Sequence, residues 1–393
     1  MRNQSPNQVW SGLVVMLIAA FAMALMLAGC SETARVAYQA QDAENADISG
    51  FDDIRTYLDA KLDKGSADPG KWAPSNTKKD INLLMISGGG AGGAFTVGVL
   101  SAWTKMGTRP QFDVVTGVST GALIAPYAFL GQSYDERLVK LYTSGIARNL
   151  VEARWMGTGL FGTSLLKSEP LRHMVELCIT PEVLAQVAAE HQKGRRLLVL
   201  TTNLDSQRAV VWNMGAIAAS GRPEALKLFQ DVLIASASVP GVYPAVLIKV
   251  HSGSHQFEEM HSDGGSASQV LTLPEELLTD AGTLGARRHQ EVNMYVIVNN
   301  ALMPEFANTS NRTLPVMARA YSILIKSQTR GSLIALYGYA KRTNAHFHVA
   351  SIDRPVAYSM SDPFNTGYMR SVFALGYSEM AGGQLWKDRP LFP

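Results

Sequence analysis

Two short stretches of this chain hold residues whose types and spacing could do covalent chemistry. In "VVTGVSTGALIAPY" (114–127), Gly117, Ser119 and Gly121 form G-x-S-x-G between a β-branched run and an apolar helical run. A serine in that setting sits on a sharp strand-to-helix turn with its hydroxyl exposed, and the flanking glycines avoid steric conflict there. The chemistry implied is nucleophilic attack, which needs a base for the hydroxyl proton and donors for the developing oxyanion. The second stretch, "INLLMISGGGAGGAF" (81–95), breaks an apolar run with glycines, of which Gly88, Gly90 and Gly93 fit G-x-G-x-x-G. Such a turn converges backbone N–H groups on an anion at a helix N-terminus, either a dinucleotide's pyrophosphate or an oxyanion. A dinucleotide site also wants an acid some 20 residues on, at the end of the next strand. Asp113 has nearly that separation but precedes the strand "VVTG", which disfavours the nucleotide.

For the base, all eight histidines (His173, His191, His251, His255, His261, His289, His346 and His348) follow Ser119, and none carries a local triad signature. A carboxylate is better marked. In "MHSDGGSAS", Asp263 precedes Gly264 and Gly265, as a side chain held on a tight loop would. The segment "HSGSHQFEEMHSD" (251–263) gathers three histidines and two glutamates without H-E-x-x-H spacing and reads as a polar hairpin delivering Asp263. No metal and no cofactor are expected, and no D-x-D-x-D-G calcium loop is present.

These residues must be positioned by the surrounding elements. From Ile81 onward, "INLLMIS", "FDVVTG", "RRLLVLTTNL", "AVVWNM", "PAVLIKV", "VNMYVIVNN" and "AHFHVASI" read as strands. Between them, "AFTVGVLSAWTKM", "GALIAPYAFL" and "EALKLFQDVLIAS" read as helices. Apolar strands alternating with helices imply an α/β fold, a mainly parallel sheet with helices on both faces, in one domain over 81–393. The methionine- and tyrosine-rich C-terminal segments read as packing helices. "RWMGTGLFGTSLL" (154–166) reads as core in preference to a flap or a wall of an acyl pocket.

Ahead of the domain, "LVVMLIAAFAMALMLA" (13–28) is too short to span a bilayer and suits a signal-peptide core. It runs into Leu27-Ala28-Gly29-Cys30, the pattern of a bacterial lipoprotein signal in which Cys30 is acylated. The expected organisation is a signal peptide over 1–29 and a membrane tether over 30–80, with a short amphipathic helix near "FDDIRTYLDAKL". Ser31, rather than aspartate, points to the outer membrane, facing the periplasm. Cys178 then has no intrachain disulfide partner and belongs to the core. A net charge of +2 with no basic block gives no support to nucleic-acid binding. Nothing in the sequence sets an oligomeric state.

Taken in order, the glycine-rich turn, G-x-S-x-G and D-G-G resemble the patatin-like phospholipases. The resemblance spans about residues 81–270, including "TTNLDSQRAVVWN" (201–213) and "DVLIASASVPGVYPAV" (231–246). It implies a three-layer architecture related to the α/β hydrolases and a Ser–Asp dyad working without histidine. Ser119 would be the nucleophile and Asp263 its base, with N–H groups of Gly88, Gly89 and Gly90 as the oxyanion hole. Many members carry a basic residue soon after the glycine turn, where this chain has Gly93-Ala94-Phe95, so no side chain is expected to assist the hole. The implied activity is phospholipase A-type cleavage of lipid acyl esters. A neutral-lipid esterase or thioesterase with the same pair, or a non-catalytic lipid-binding envelope lipoprotein, are the alternatives.

Overall fold

All seven apolar runs expected as strands form strands in the computed structural model, which describes residues 35–60, 72–75, 80–150, 164–272, 291–354, 356, 358, 362–390 and 392. They are β2 (Asp80–Ile86), β3 (Val114–Val118), β4 (Arg196–Asn203), β5 (Arg208–Asn213), β6 (Val246–Ser252), β8 (Glu291–Val298) and β9 (His346–Ser351). Two further strands, β1 (Arg55–Tyr57) and β7 (His255–Asp263), complete a nine-stranded sheet. Its main path runs β1-β5-β4-β3-β2-β8-β9. The five strands from β4 to β9 along this path are parallel, whereas β1, β5, β6 and β7 join antiparallel. The sheet is thus mixed but mostly parallel.

Period-two burial explains the layers. Leu84, Ile86, Val115 and Ile297 face a core built with α2 (Gly93–Lys105), α3 (Thr120–Leu130) and α8 (Ala225–Ala237). Ile81, Leu83, Met85, Met294 and Val296 face the other way, against Leu333, Leu336 and Ala340 of α9 (Thr313–Thr343). The C-terminal helix α10 (Thr366–Ala381) lies directly on α2, its Gly376 so close that a Cβ would fall 2.4 Å from Phe95 O. Cys178, ending α5 (Glu169–Cys178), is buried as expected. The remaining described helices are α1 (Ala40–Glu44), α4 (Asp135–Thr143), α6 (Pro181–Gln192) and α7 (Met214–Ala219).

The segment before Asp80 departs from a loose tether. Phe51, Ile54 and Leu58 are buried, and their spacing is what suggests a helix, yet Arg55–Tyr57 is strand β1 on the edge of β5. Edge N–H and C=O groups of β5 outcompete a short helix, which is marginal alone. A side chain also draws the strand in. Arg55 donates to Glu259 Oε2 at 2.5 Å and to Ala46 O at 2.5 Å. Glu259 accepts from or shares a proton with His261 Nε2 at 3.0 Å. Burial alone would raise the Glu259 carboxyl, but His261 and Arg55 outweigh it and hold it below its ordinary value. Further out, Arg35 forms a two-pronged pair with Asp205, and Tyr38 stacks on Phe257 at 4.2 Å.

Removing one partner of a buried pair leaves the other charge uncompensated. Arg55→Ala should therefore cost about 3 kcal/mol in urea unfolding. A loss near zero would mean that this segment contributes only reach.

Candidate active site

Ser119 and Asp263 are brought together because two strands share one edge of β4. Strand β3 runs beside β4 only as far as Val118, opposite Leu200. From Thr201 the same edge is taken by β7, which runs the other way and ends with Asp263 opposite Thr201. Strand β5 occupies the opposite edge. The C-terminal ends of β3 and β7 therefore point at each other, with Ser119 following one and Asp263 ending the other.

The chain turns sharply at Ser119, with φ 55° and ψ −123°. A non-glycine residue in such a sparsely populated region carries strain of about 1–3 kcal/mol. Three bonds hold it there. Ser119 N–H donates to Ser236 Oγ at 3.1 Å, and the Ser236 hydroxyl donates to Leu200 O at 2.6 Å. Ser119 C=O accepts the Ala122 N–H at 2.9 Å, so the serine caps α3 through its backbone and leaves its hydroxyl uncommitted. Gly117 and Gly121 make room for the turn: a Cβ on Gly121 would fall 2.4 Å from Ile86 O, and one on Gly117 2.5 Å from Gly121 O.

Asp263 is 2% exposed. Its N–H donates to Ser238 O at 2.8 Å, and its C=O accepts from Thr202 Oγ1 at 2.9 Å. Oδ1 accepts the Gly265 N–H at 2.6 Å, whereas Oδ2 is buried without a close donor. Burial pushes this carboxyl up to about 7, against the pull of the Ser119 hydroxyl and the Gly265 N–H. Ser119 is thus the side chain that faces the carboxyl, although its hydroxyl and Oδ2 stop short of a formed bond. Among the described residues no histidine bonds to Ser119. Both ring nitrogens of His261, the nearest in sequence to Asp263, are engaged by Thr201 Oγ1 at 2.9 Å and by Glu259.

The glycine turn lies against the serine, since a Cβ on Gly88 would come within 3.3 Å of Ser119 Cβ. Gly88 itself is not available as an oxyanion donor, contrary to expectation. Its N–H is given to Gln269 O at 3.0 Å, which ties the turn to the loop after Asp263. Gly89 (φ 148°) and Gly90 (φ 53°) differ: their N–H groups donate to no acceptor among the described residues and open into the start of α2. Two helix N-termini, those of α2 and α3, therefore present positive ends at Ser119. Gly93 lets these helices touch, a Cβ there falling 2.5 Å from Thr120 Oγ1, and Gly264 passes Leu200 O as closely. The buried Ala94 and Phe95 bring no charge to the turn.

Four site residues went unread in the sequence. Asn299 and Asn300, just past β8, donate to Ser87 O at 2.9 Å and Gly88 O at 3.3 Å. Gln269 and Ser236 act as described. Polar residues just past a parallel strand's C-terminal end were the available signal for the asparagines. Asp113, by contrast, lies at the start of β3 and accepts the Asn82 N–H at 2.9 Å, a structural task. Cys30 and residues 154–163 lie outside the described residues.

The patatin-like phospholipase family model matches residues 84–274. Two curated Escherichia coli proteins are similar: a cGAMP-activated phospholipase, 25% identical over 174 residues, and a cUMP-AMP-activated phospholipase, 42% identical over 69. These matches take in 41% and 17% of this chain, and the chain spans about half (47%) of the first relative's length and 21% of the second's. Among solved structures, VipD from Legionella pneumophila aligns with a TM-score of 0.39 at 12% identity, over 83% of this chain and 72% of VipD. Residues 84–274, with the glycine turn, the serine turn and the D-G-G loop all inside the match, form a domain of the patatin-like phospholipase family.

Proposed function

We propose that this protein is a lipid acyl hydrolase of phospholipase A type, with Ser119 as nucleophile and Asp263 as its proton acceptor. The observation that carries the reading is the meeting of the β3 and β7 ends, which sets an uncommitted serine hydroxyl against a buried carboxyl. Ser119 Oγ attacks the ester carbonyl while Asp263 Oδ2 takes its proton. The carbonyl oxygen, now charged, accepts from the Gly89 and Gly90 N–H groups, where a single donor is worth about 3 kcal/mol. Collapse expels the alcohol, which regains the proton from Asp263 and leaves an acyl-serine. Water, deprotonated by the same carboxylate, then releases the fatty acid. An exposed aspartate, ionising near 3.9, is a poor base for a hydroxyl. Burial up to about 7 suits Asp263 to the task near neutral pH.

The sequence Leu27-Ala28-Gly29-Cys30 supports a second part of the proposal, an acyl anchor on Cys30 that holds the enzyme at its substrate's surface in the bacterial envelope. The test is incubation of the purified full chain with phosphatidylglycerol and phosphatidylethanolamine vesicles, followed by mass spectrometry. Equimolar fatty acid and lysophospholipid are expected. Cleavage of triacylglycerol or acyl thioesters alone would move the substrate class to the neutral-lipid or thioester alternative.

A further inference from the structure

The long helix α9 carries two apolar faces, and the fold uses one. Thr329, Leu333, Leu336 and Ala340 are buried, the three apolar ones against the sheet. On the opposite side, Val316, Met317, Ile323, Leu324 and Ile334 are all exposed, Leu324 at 66%. Their spacing, with seven residues from Val316 to Ile323 and from Met317 to Leu324, puts them on one outward stripe. Phe306, 94% exposed, and Met303 extend this patch on the preceding loop. That loop is pinned along the helix by Lys326, which donates to Met303 O at 2.9 Å and pairs with Glu305, and by Arg319, which donates to Glu305 O. A patch of this make-up marks a surface made to meet something apolar.

The edge of the stripe borders the active site. Gln328 donates to Ala267 O at 2.6 Å, in the loop that carries Asp263 and Gly265. Tyr321, on the same flank, lies near enough that negative charge on Asp263 adds to the effect of burial in raising its phenol to about 12.

We infer that the outward face of α9, with Phe306 and Met303, docks the protein on an anionic lipid bilayer and presents the Ser119–Asp263 site to that surface. Two observations choose a bilayer over a second copy of the chain. Between Met303 and Ile352 there are six Lys and Arg against one acid, Glu305, so two such faces would bring net like charges together, while anionic headgroups supply the opposite charge. The stripe is also continuous with the mouth of a site read as a lipid hydrolase. No helix among the described residues is long and apolar enough to cross a membrane, and a one-sided stripe suits a helix lying in the interface. The inference rests on the proposed function for its consequence but not for its detection.

Hydroxyl-radical footprinting of the full-length Ser119→Ala chain tests docking without catalysis. Met317 oxidation is followed by mass spectrometry, with buried Met369 as internal reference. Vesicles of equal phosphatidylglycerol and phosphatidylcholine should lower Met317 oxidation at least fivefold. Unchanged oxidation overturns the inference, as does protection that is present before vesicles are added and grows with protein concentration, the mark of self-association. In the otherwise unaltered chain, Ile323→Glu with Leu324→Glu should lower the ratio of vesicle hydrolysis to soluble short-chain ester hydrolysis at least tenfold; an unchanged ratio overturns it. If the parent chain hydrolyses no ester at all, the hydrolase reading fails while the footprint still decides docking.

Discussion

Ser119→Ala is expected to lower phospholipid hydrolysis by roughly 10⁴-fold or more, the scale seen when a nucleophilic serine is removed from a hydrolase, with no loss of fold. The reason lies in what holds the turn. Ser119 is fixed by its N–H to Ser236 and its C=O to the first turn of α3, and neither bond uses the hydroxyl. Alanine can therefore occupy the same strained backbone with the same partners. Reaction with a fluorophosphonate should vanish in the variant while its thermal unfolding stays within a degree or two of the parent. Ser119→Gly sharpens the point. Glycine tolerates φ near 55° at little cost, so this variant should be equally inactive and about 1 kcal/mol more stable. Full-stoichiometry labelling of the alanine variant would place the reactive group elsewhere and end the present reading.

What the sequence disclosed follows from the range of the forces involved. Strands β2, β3, β4 and β8 lie inside the parallel part of the sheet with core on each face, so they appear as largely apolar runs and were legible. The turn at Ser119 was legible because its glycines answer to contacts within a few residues or on one neighbouring strand. The polar hairpin expected over 251–263 is the turn from β6 into β7 and does deliver Asp263, but the burial of Glu259 and His261 was hidden, since both look like surface residues until Arg55 and Thr201, distant in sequence, close around them. The same distance hid β1, whose helical spacing of Phe51, Ile54 and Leu58 is overridden by the open edge of β5. Gly88 shows the limit within a motif. Three consecutive glycines look alike, and only the position of Gln269 O decides that the Gly88 N–H is tied down while those of Gly89 and Gly90 meet no acceptor among the described residues. On α9, sequence registers apolar residues all round the helix, but which stripe meets the sheet is set by β2, β8 and β9.

Asp263→Asn should abolish turnover and, above neutral pH, make the protein more stable. Burial raises the carboxyl from 3.8 to about 7 in the folded chain. An acid whose folded value is raised adds stability that is fully present below its unfolded value and is lost as pH rises through its folded value. Wild-type stability should therefore decline between about pH 4 and pH 7 on account of this group. Asparagine keeps an oxygen for the Gly265 N–H and carries no charge to desolvate, so above pH 7 the variant should gain on the order of 2–4 kcal/mol in urea unfolding. At pH 4 the difference should close. Activity runs the other way. Only the ionised carboxylate accepts the hydroxyl proton, so wild-type kcat/KM should rise with pH to a plateau above about 7. In the variant the amide N–H₂ faces Ser119 as a donor, and the rate should fall by about 10³-fold or more. On the proposed mechanism, activity and stability are opposed at one side chain: the burial that would make Asp263 a competent base would also burden the folded state once the carboxyl is ionised. An asparagine variant less stable than the parent at pH 8, or a wild-type rate flat from pH 5.5 to 8.5, would show that Asp263 does not carry the proton.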